Sequence, residues 1–186
     1  MQTGKMTTLG TATMFAPLAF VLLLSFGMNR LSFPVLAILF AVYAAVTGIS
    51  LSFIFLVYTT SSILNCFVSA AVLFAVMAIA GYTTKQDLTK FGSLLTMFLI
   101  GIVIASLVNF FLKSSQLDYI ISFVGVAVFV GLTAYDVQKL KRIGEGIEYG
   151  DAPANKMVIM GALTLYLDFI NLFLMLLRLF GGKRND

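Results

Sequence analysis

Long uninterrupted apolar runs, separated by short polar connections, dominate the chain from residue 12 to residue 180. A run of about 20 apolar residues is long enough to cross a bilayer as a helix. The runs are continuous rather than alternately apolar and polar, which favours helices over barrel strands. The pattern predicts an all-α, polytopic helix bundle that forms one membrane domain over residues 1–186. Six spans are predicted, at roughly 12–29, 33–58, 63–82, 92–112, 118–138 and 157–180.

Two of the connections carry local signals. Thr84 and Asp87 precede the fourth span with the spacing of a capping box, so Thr84 is expected to cap the start of that helix. The longest connection, residues 139–156, is rich in charge and glycine and is expected to be a solvated loop. It has neither the glycine spacing nor the lysine and hydroxyl of a phosphate-binding loop, so we expect no nucleotide site.

Composition supports membrane insertion and gives a topology. With 60% hydrophobic residues, 11% charged residues and a mean hydropathy of +1.03, the chain exceeds what a soluble domain can bury. Lys and Arg are retained on the cytoplasmic side, which explains the net charge of +4 without a nucleic-acid partner. The predicted cytoplasmic side carries Arg30, Lys85, Lys90, Lys139, Lys141, Arg142 and Lys156.

The opposite side carries fewer basic residues: Lys5, Lys113, Lys183 and Arg184. This count places the N-terminus outside, although no cleavable signal is recognisable. A preceding span would return the N-terminus to the cytoplasm. The basic tail fits an external position less well, so a last run that re-enters the membrane without crossing stays open as an alternative.

Several chemistries are excluded by missing residue types. The chain has no histidine, so a Ser-His-Asp triad or a histidine metal site cannot form. Its one cysteine, Cys66, cannot form an internal disulfide and is expected to be a small buried residue. We therefore expect no enzymatic activity of the common kinds and no resident cofactor.

Asp168 is the most informative residue, because it lies within an apolar run that is otherwise suited to cross a bilayer. An acidic side chain there costs a few kcal/mol, so it normally faces protein or water and serves a function. It belongs to a polar stripe at steps of three or four residues on the last helix, which predicts a central, pore-facing position for that helix. The stripe contains Gly161, Thr164, Asp168, Asn171, Met175 and Arg178.

A second acid, Asp136, ends the preceding run and shares a helix face with Thr133. The two helices are adjacent in sequence, so Asp136 is expected to approach Asp168. Two carboxylates about 4 Å apart repel by roughly 4 kcal/mol at an effective dielectric of 20. Such a pair is expected to hold one shared proton at acidic to neutral pH and to lose it as the pH rises, which predicts a proton-controlled latch.

Structural interpretations of both acids stay open. Asp136 precedes Lys139 by three residues and is suited to an interfacial ion pair with it. Asp168 is suited to accept hydrogen bonds from Tyr or Asn side chains, or to pair with Arg30. The abundant Met and Phe residues are expected to pack the core rather than form a ligand surface.

Four segments, in order along the chain, resemble the Bax inhibitor family, also called the transmembrane Bax inhibitor motif proteins, in its bacterial inner-membrane branch. They are residues 48–55 (GISLSFIF), 81–88 (GYTTKQDL), 131–139 (GLTAYDVQK) and 165–172 (LYLDFINL). The last two are the most specific, and the resemblance extends from about Pro17 to Gly182.

The resemblance implies a seven-helix fold, with the last helix central between two three-helix layers, and a pH-sensitive calcium leak gated by an aspartate pair. The family's aspartates match Asp136 and Asp168, and a basic residue proposed as a latch in some members aligns with Arg30. The family has a helix before the span that starts near Thr11, where this chain has a short polar leader. This departure indicates either a shortened start or a six-helix variant.

The sequence as a whole predicts a proton-gated cation leak, with Ca²⁺ and protons as its ionic partners and the lipid bilayer as its solvent. Asp136 and Asp168 supply hard oxygen ligands for weak, transient Ca²⁺ contact, and Thr133, Thr164 and Asn171 are pore-lining candidates. Two other functions stay open. One is a membrane regulator that modulates a partner such as a protease or a stress or cell-death pathway. The other is a proton-coupled cation exchanger.

A regulator would use small residues for close helix contacts. Such a surface is present on the third span, where contacts within the chain are the simpler explanation: Ala70, Ala71, Ala75, Ala78 and Gly81.

Overall fold

The computed structural model describes residues 31–146 and 152–184, and this part of the chain is helical. Six helices are present in it: α1 (Phe33–Leu51), α2 (Ile54–Val57), α3 (Thr60–Thr83), α4 (Thr89–Leu112), α5 (Ser115–Glu145) and α6 (Ala152–Phe180). Five segments of this part are long and apolar enough to cross a membrane: Phe33–Val57, Thr60–Thr83, Thr89–Leu112, Ser115–Glu145 and Lys156–Phe180. The predicted helical class is confirmed. The predicted span 12–29 and Arg30 lie outside the described residues, so the total of six spans and the seven-helix arrangement stay predictions.

Helix starts follow local capping chemistry. The Thr59 side chain accepts the backbone N–H of Ser62 at the start of α3, and the Ser114 hydroxyl accepts that of Leu117 at the start of α5. Both contacts satisfy donors that a first helical turn leaves free. Lys113, with φ of 53°, turns the chain in the left-handed region between α4 and α5.

The predicted capping box is wrong. Thr84 ends α3, and α4 begins only at Thr89. Asp87 binds forward rather than backward, since its carboxylate accepts the backbone N–H of Thr89 at 2.9 Å and the Thr89 hydroxyl at 2.6 Å. This local turn satisfies the first donor of α4 and leaves no role for Thr84 at that helix.

The predicted long loop is also largely wrong. Helix α5 continues through Glu145, well past the predicted end at residue 138, and α6 already begins at Ala152. Lys141 and Glu145 form an ion pair one turn apart at 3.8 Å, which suits a solvated helix end. At about 1.5 Å per residue, this 31-residue helix exceeds a hydrocarbon core of about 30 Å and extends into water.

The described chain divides into two compact units. The first comprises residues 31–56 and 152–163, with buried Leu36, Tyr43 and Leu163 side chains. The second comprises residues 57–146 and 164–184, in which α3 and α4 each pack against α5. The rest of α6 packs in this second unit against α3 and α5, through pairs such as Phe67 with Phe169 and Gly125 with Met175. All of the site geometry described below belongs to the second unit.

Candidate functional site

Asp136 of α5 and Asp168 of α6 meet inside the second unit. Their side chains are 9% and 5% exposed, and their carboxyl groups lie close enough to interact directly. Two ionised carboxylates repel each other in a desolvated site, so this pair is suited to hold one shared proton. The predicted approach of the two acids is therefore present in the structure.

Asp168 retains an unused acceptor. Its Oδ2 atom is buried and has no hydrogen-bond partner among the described residues. A buried polar atom without a partner costs about 1–3 kcal/mol, which marks this position as one that packing alone does not explain. Asn171, which the sequence offered as a donor, binds the Leu167 carbonyl of its own helix at 2.8 Å. The suggested partner Arg30 lies outside the described residues.

Lys139 is not the principal partner of Asp136. Its ammonium group lies 6.0 Å from the centroid of the Tyr135 ring, and in the described part of the chain it makes no ion pair with Asp136. The lysine still exerts an electrostatic influence on Asp136. The interfacial ion pair that the three-residue spacing suggested is not the arrangement observed.

The three predicted pore-lining residues are arranged less uniformly. The fully buried Thr133 hydroxyl donates to the Phe129 carbonyl at 2.8 Å, a bond within α5 that resembles the one Asn171 makes within α6. Thr164 is half-buried and has its own contacts. A pore-lining role for Thr133, Thr164 and Asn171 stays a prediction.

Close helix contacts hold the Asp136 segment in place. Gly81 of α3 lies directly against the Ala134 backbone, two residues before Asp136, and a Cβ atom at Gly81 would come within 2.8 Å of the Ala134 carbonyl carbon. Gly92 of α4 lies against the Tyr135 ring in a similarly close contact. Two neighbouring helices thus approach α5 at glycines beside the acid, so its backbone has little room to shift.

Aromatic packing fixes the rotation of α6 beside Asp168. The Phe169 ring contacts Phe67 and Phe74 of α3 edge-to-face, with centroid separations of 5.4 and 5.6 Å. Such T-shaped pairs contribute about 0.5–1.5 kcal/mol each beyond the area they bury. Because Phe169 faces α3, the preceding residue, Asp168, is turned to another side of the helix, about 100° away.

A polar cluster that the sequence interpretation missed joins the α3–α4 connection to the end of α5. The buried Gln138 side chain accepts the Leu88 N–H at 2.9 Å and donates to the Gln86 carbonyl at 2.8 Å. Arg142 donates to Gln138 at 3.0 Å and pairs with Asp87 at 2.9 Å. The pKa of Asp87 is lowered to about 2, mainly by its hydrogen bonds from Thr89 and to a smaller extent by that from Arg142. The connection is thus anchored two residues beyond Asp136.

The opposite end of the unit joins the start of α3 to the chain after α6. Thr59 N–H donates to the Gly182 carbonyl at 3.0 Å, and Arg184 N–H donates to the Val57 carbonyl at 2.9 Å. Burial raises the pKa of Tyr58 between them. Helix α6 reaches this end as one continuous helix, which does not support the re-entrant alternative.

The acid pair offers hard oxygen ligands of the type that Ca²⁺ prefers, but fewer than the six to eight of a storage site. No group of three or more His, Cys, Asp or Glu side chains that could hold a metal occurs within residues 31–146 and 152–184. The pair is chemically suited to exchange a proton, and to contact a passing cation briefly.

Comparison with known proteins gives consistent matches along the chain. A family model described as Inhibitor of apoptosis-promoting Bax1 matches residues 1–185. The Inner membrane protein YbhL of Escherichia coli (strain K12) is 57% identical over 170 residues, which cover 91% of this chain and 73% of that protein. Protein RP147 of Rickettsia prowazekii is 48% identical over 96% of this chain and 75% of its own length. Membrane protein SpyM3_0260 of Streptococcus pyogenes is 42% identical over 86% of this chain and 68% of its own length.

Proposed function

This chain belongs to the Bax inhibitor family as a multi-pass integral inner-membrane protein, and we propose that it is a pH-sensitive calcium leak pathway controlled by the Asp136–Asp168 pair. The family resemblance of the four sequence segments is confirmed. The leak activity is the further step. The proposal includes no catalytic reaction, and Ca²⁺ is the transported ion rather than a resident cofactor.

The buried, closely spaced carboxyl pair is the observation that carries this proposal. Two adjacent, buried carboxylates repel when both are ionised, so we infer that the pair holds one shared proton between α5 and α6. Loss of that proton removes the donor and leaves two like charges in contact, which repel strongly in a partly desolvated site. The shared proton therefore couples the pH of the solution to the packing of two membrane helices.

The unsatisfied Oδ2 of Asp168 gives the pair a second property. It is an acceptor directed at no protein donor among the described residues, so a cation or a water molecule reaching it loses less hydration than elsewhere in the bilayer core. Two acids without further ligands bind Ca²⁺ only weakly, which suits passage rather than storage.

The test is calcium entry into sealed proteoliposomes across pH 5 to 8. The unmodified chain is expected to show pH-dependent entry. Asp168→Asn is expected to remove the pH dependence, because an amide has the shape of the carboxyl group but does not titrate. Asp87→Asn is the matched control, since its pKa of about 2 keeps Asp87 charged throughout this range. Size-exclusion profiles establish that each variant is folded.

Each outcome distinguishes the proposals. Folded protein without calcium entry at any pH refutes the leak and supports the membrane regulator, which should instead co-purify with its partner. Entry with an unchanged pH profile in Asp168→Asn refutes the pair as proton sensor. Uphill calcium movement driven by an imposed pH gradient assigns the chain to the proton-coupled exchangers.

A further inference from the structure

A polar pocket lies between the first half of α3 and the last turns of α6, at the end of the second unit opposite to Gln138. Its volume is about 270 Å³, which is room for several water molecules. Four of its lining residues come from α3 and two from α6: Ser62, Asn65, Cys66, Ser69, Leu176 and Phe180. Neither the acid pair nor the family motifs include these residues.

The pocket carries polar groups deep into the membrane-spanning part of α3. Ser69 follows the helix start at Thr60 by nine residues, which is about 14 Å at 1.5 Å per residue and close to half of a 30 Å hydrocarbon core. Neither the Asn65 amide nor the Ser69 hydroxyl has a hydrogen-bond partner among the described residues. Hydrocarbon supplies no hydrogen bonds, so water in the pocket is a suitable partner for both side chains.

The other two polar side chains of the pocket, Ser62 and Cys66, have partners within the protein. Ser62 accepts the Gly182 N–H at 3.0 Å, and the Cys66 thiol donates to the Leu176 carbonyl at 3.7 Å. These contacts tie α3 to α6 and to the chain after it. Hydrogen bonds therefore hold the pocket lining in place at Ser62 and at Cys66.

An apolar layer separates the pocket from the acid pair. Leu176 is two turns of α6 beyond Asp168, about 12 Å along the helix axis. Between them lie the fully buried Leu172 and the buried Phe173, whose ring contacts Phe67 of α3 at 5.9 Å. The pocket thus ends before it reaches Asp168.

The distribution of basic residues assigns the pocket to the external side. It adjoins Lys183 and Arg184, on the side that carries few basic residues, whereas Lys139, Lys141 and Arg142 lie at the other end of α5. Retention of Lys and Arg in the cytoplasm makes the basic end of α5 the inner one.

We propose that this pocket is a water-filled external vestibule that admits hydrated cations as far as Ser69, with Leu172 and Phe173 closing it from Asp168. Neutral hydroxyl and amide oxygens are suitable transient ligands for hard cations. Use of the vestibule by permeating Ca²⁺ rests on the leak proposed above, whereas its hydration does not. The two ideas can therefore fail separately.

Thiol labelling tests hydration in the full chain. Cys66→Ala removes the only cysteine, and Ser69→Cys is then compared with Val68→Cys in that background. Val68 is 52% exposed, does not line the pocket, and differs from Ser69 by one residue in depth and about 100° in direction. A membrane-impermeant, cationic methanethiosulfonate reagent is applied from outside to right-side-out proteoliposomes.

Ser69→Cys is expected to react at least about tenfold faster than Val68→Cys, and both should react fully after denaturation. Equal rates, whether both fast or both negligible, overturn the vestibule. Where the vesicles show calcium entry, complete modification of Ser69→Cys with the bulky cation should reduce that entry severalfold. Entry that is undiminished by complete modification refutes the vestibule as the route for Ca²⁺ even if it is hydrated.

Discussion

Replacing Gly81 by alanine tests the close packing of α3 against α5 beside the acid pair. The new Cβ would lie 2.8 Å from two backbone atoms of Ala134 and closer still to its carbonyl oxygen. Carbon atoms in ordinary contact are about 3.5–4.0 Å apart, so the two helices must separate by about 0.7 Å or more. The obstructing atoms belong to backbone, which cannot rotate away as a side chain can.

The expected cost follows from two opposing effects. Overpacking costs about 1–3 kcal/mol, and the upper end applies where backbone must move. Alanine recovers up to about 1 kcal/mol because it is a better helix former than glycine. Gly81→Ala is therefore expected to lower the free energy of unfolding by about 2 kcal/mol.

Gly101→Ala is the matched control, because Gly101 lies in the middle of α4 and a Cβ there meets nothing within 4 Å. It should leave stability unchanged or raise it by up to about 1 kcal/mol. The assay is unfolding in mixed micelles with an increasing fraction of denaturing detergent, followed by circular dichroism. If Gly81→Ala is as stable as Gly101→Ala, the close contact does not hold α5 as described.

Three other perturbations have defined outcomes. Gln138→Ala should destabilise the protein by about 1–3 kcal/mol and speed hydrogen exchange at the Leu88 amide, because that N–H loses its acceptor; unchanged exchange at Leu88 would contradict the anchoring role. The pKa of Asp87 is lowered to about 2, so its ion pair stabilises the fold fully above its ordinary pKa and is lost as the pH falls through 2. The difference in melting temperature between the unmodified chain and Asp87→Asn should therefore be constant from pH 5 to 8 and shrink below pH 4, and a change between pH 5 and 8 would refute this assignment. Asp118→Asn should alter stability by less than about 1 kcal/mol, because its 3.7 Å pair with Arg178 is half-exposed; a loss above 2 kcal/mol in the same unfolding assay would show that the pair is more deeply integrated.

Membrane insertion and the meeting of the two acids could be predicted from sequence because each depends on a strong, local signal. An apolar run of 20 residues has few stable alternatives in lipid, and an acid within such a run needs a partner. Asp168 and Asp136 each lie on a helix with a recognisable polar position, and the helices follow one another closely. Consecutive helices along a chain are usually neighbours in space.

Details that depend on distant partners could not be predicted in this way. Gln138 does not belong to any repeating polar or apolar pattern in the sequence. Its hydrogen bonds join it to residues about 50 positions earlier in the chain. The capping-box interpretation failed because Asp87 has a nearer partner in Thr89, a competition that spacing alone does not decide. The charged residues after position 138 predict a loop, but charges one turn apart also stabilise a solvated helix, as the Lys141–Glu145 pair does at the end of α5.

The pairing of residues 57–59 with residues 182–184 has a consequence for how the protein is made. Ser62 and Gly182, which are joined by a hydrogen bond there, lie 120 positions apart. Helix α3 enters the membrane long before residues 182–184 leave the ribosome. The hydrogen bonds between residues 57–62 and residues 182–184 therefore cannot form until α4, α5 and α6 have been inserted. Contacts between such distant segments form late and slowly. Biogenesis therefore finishes at the end of the second unit that holds residues 57–59 and 182–184, and a chain stalled before residue 182 would leave that end open to quality-control proteases.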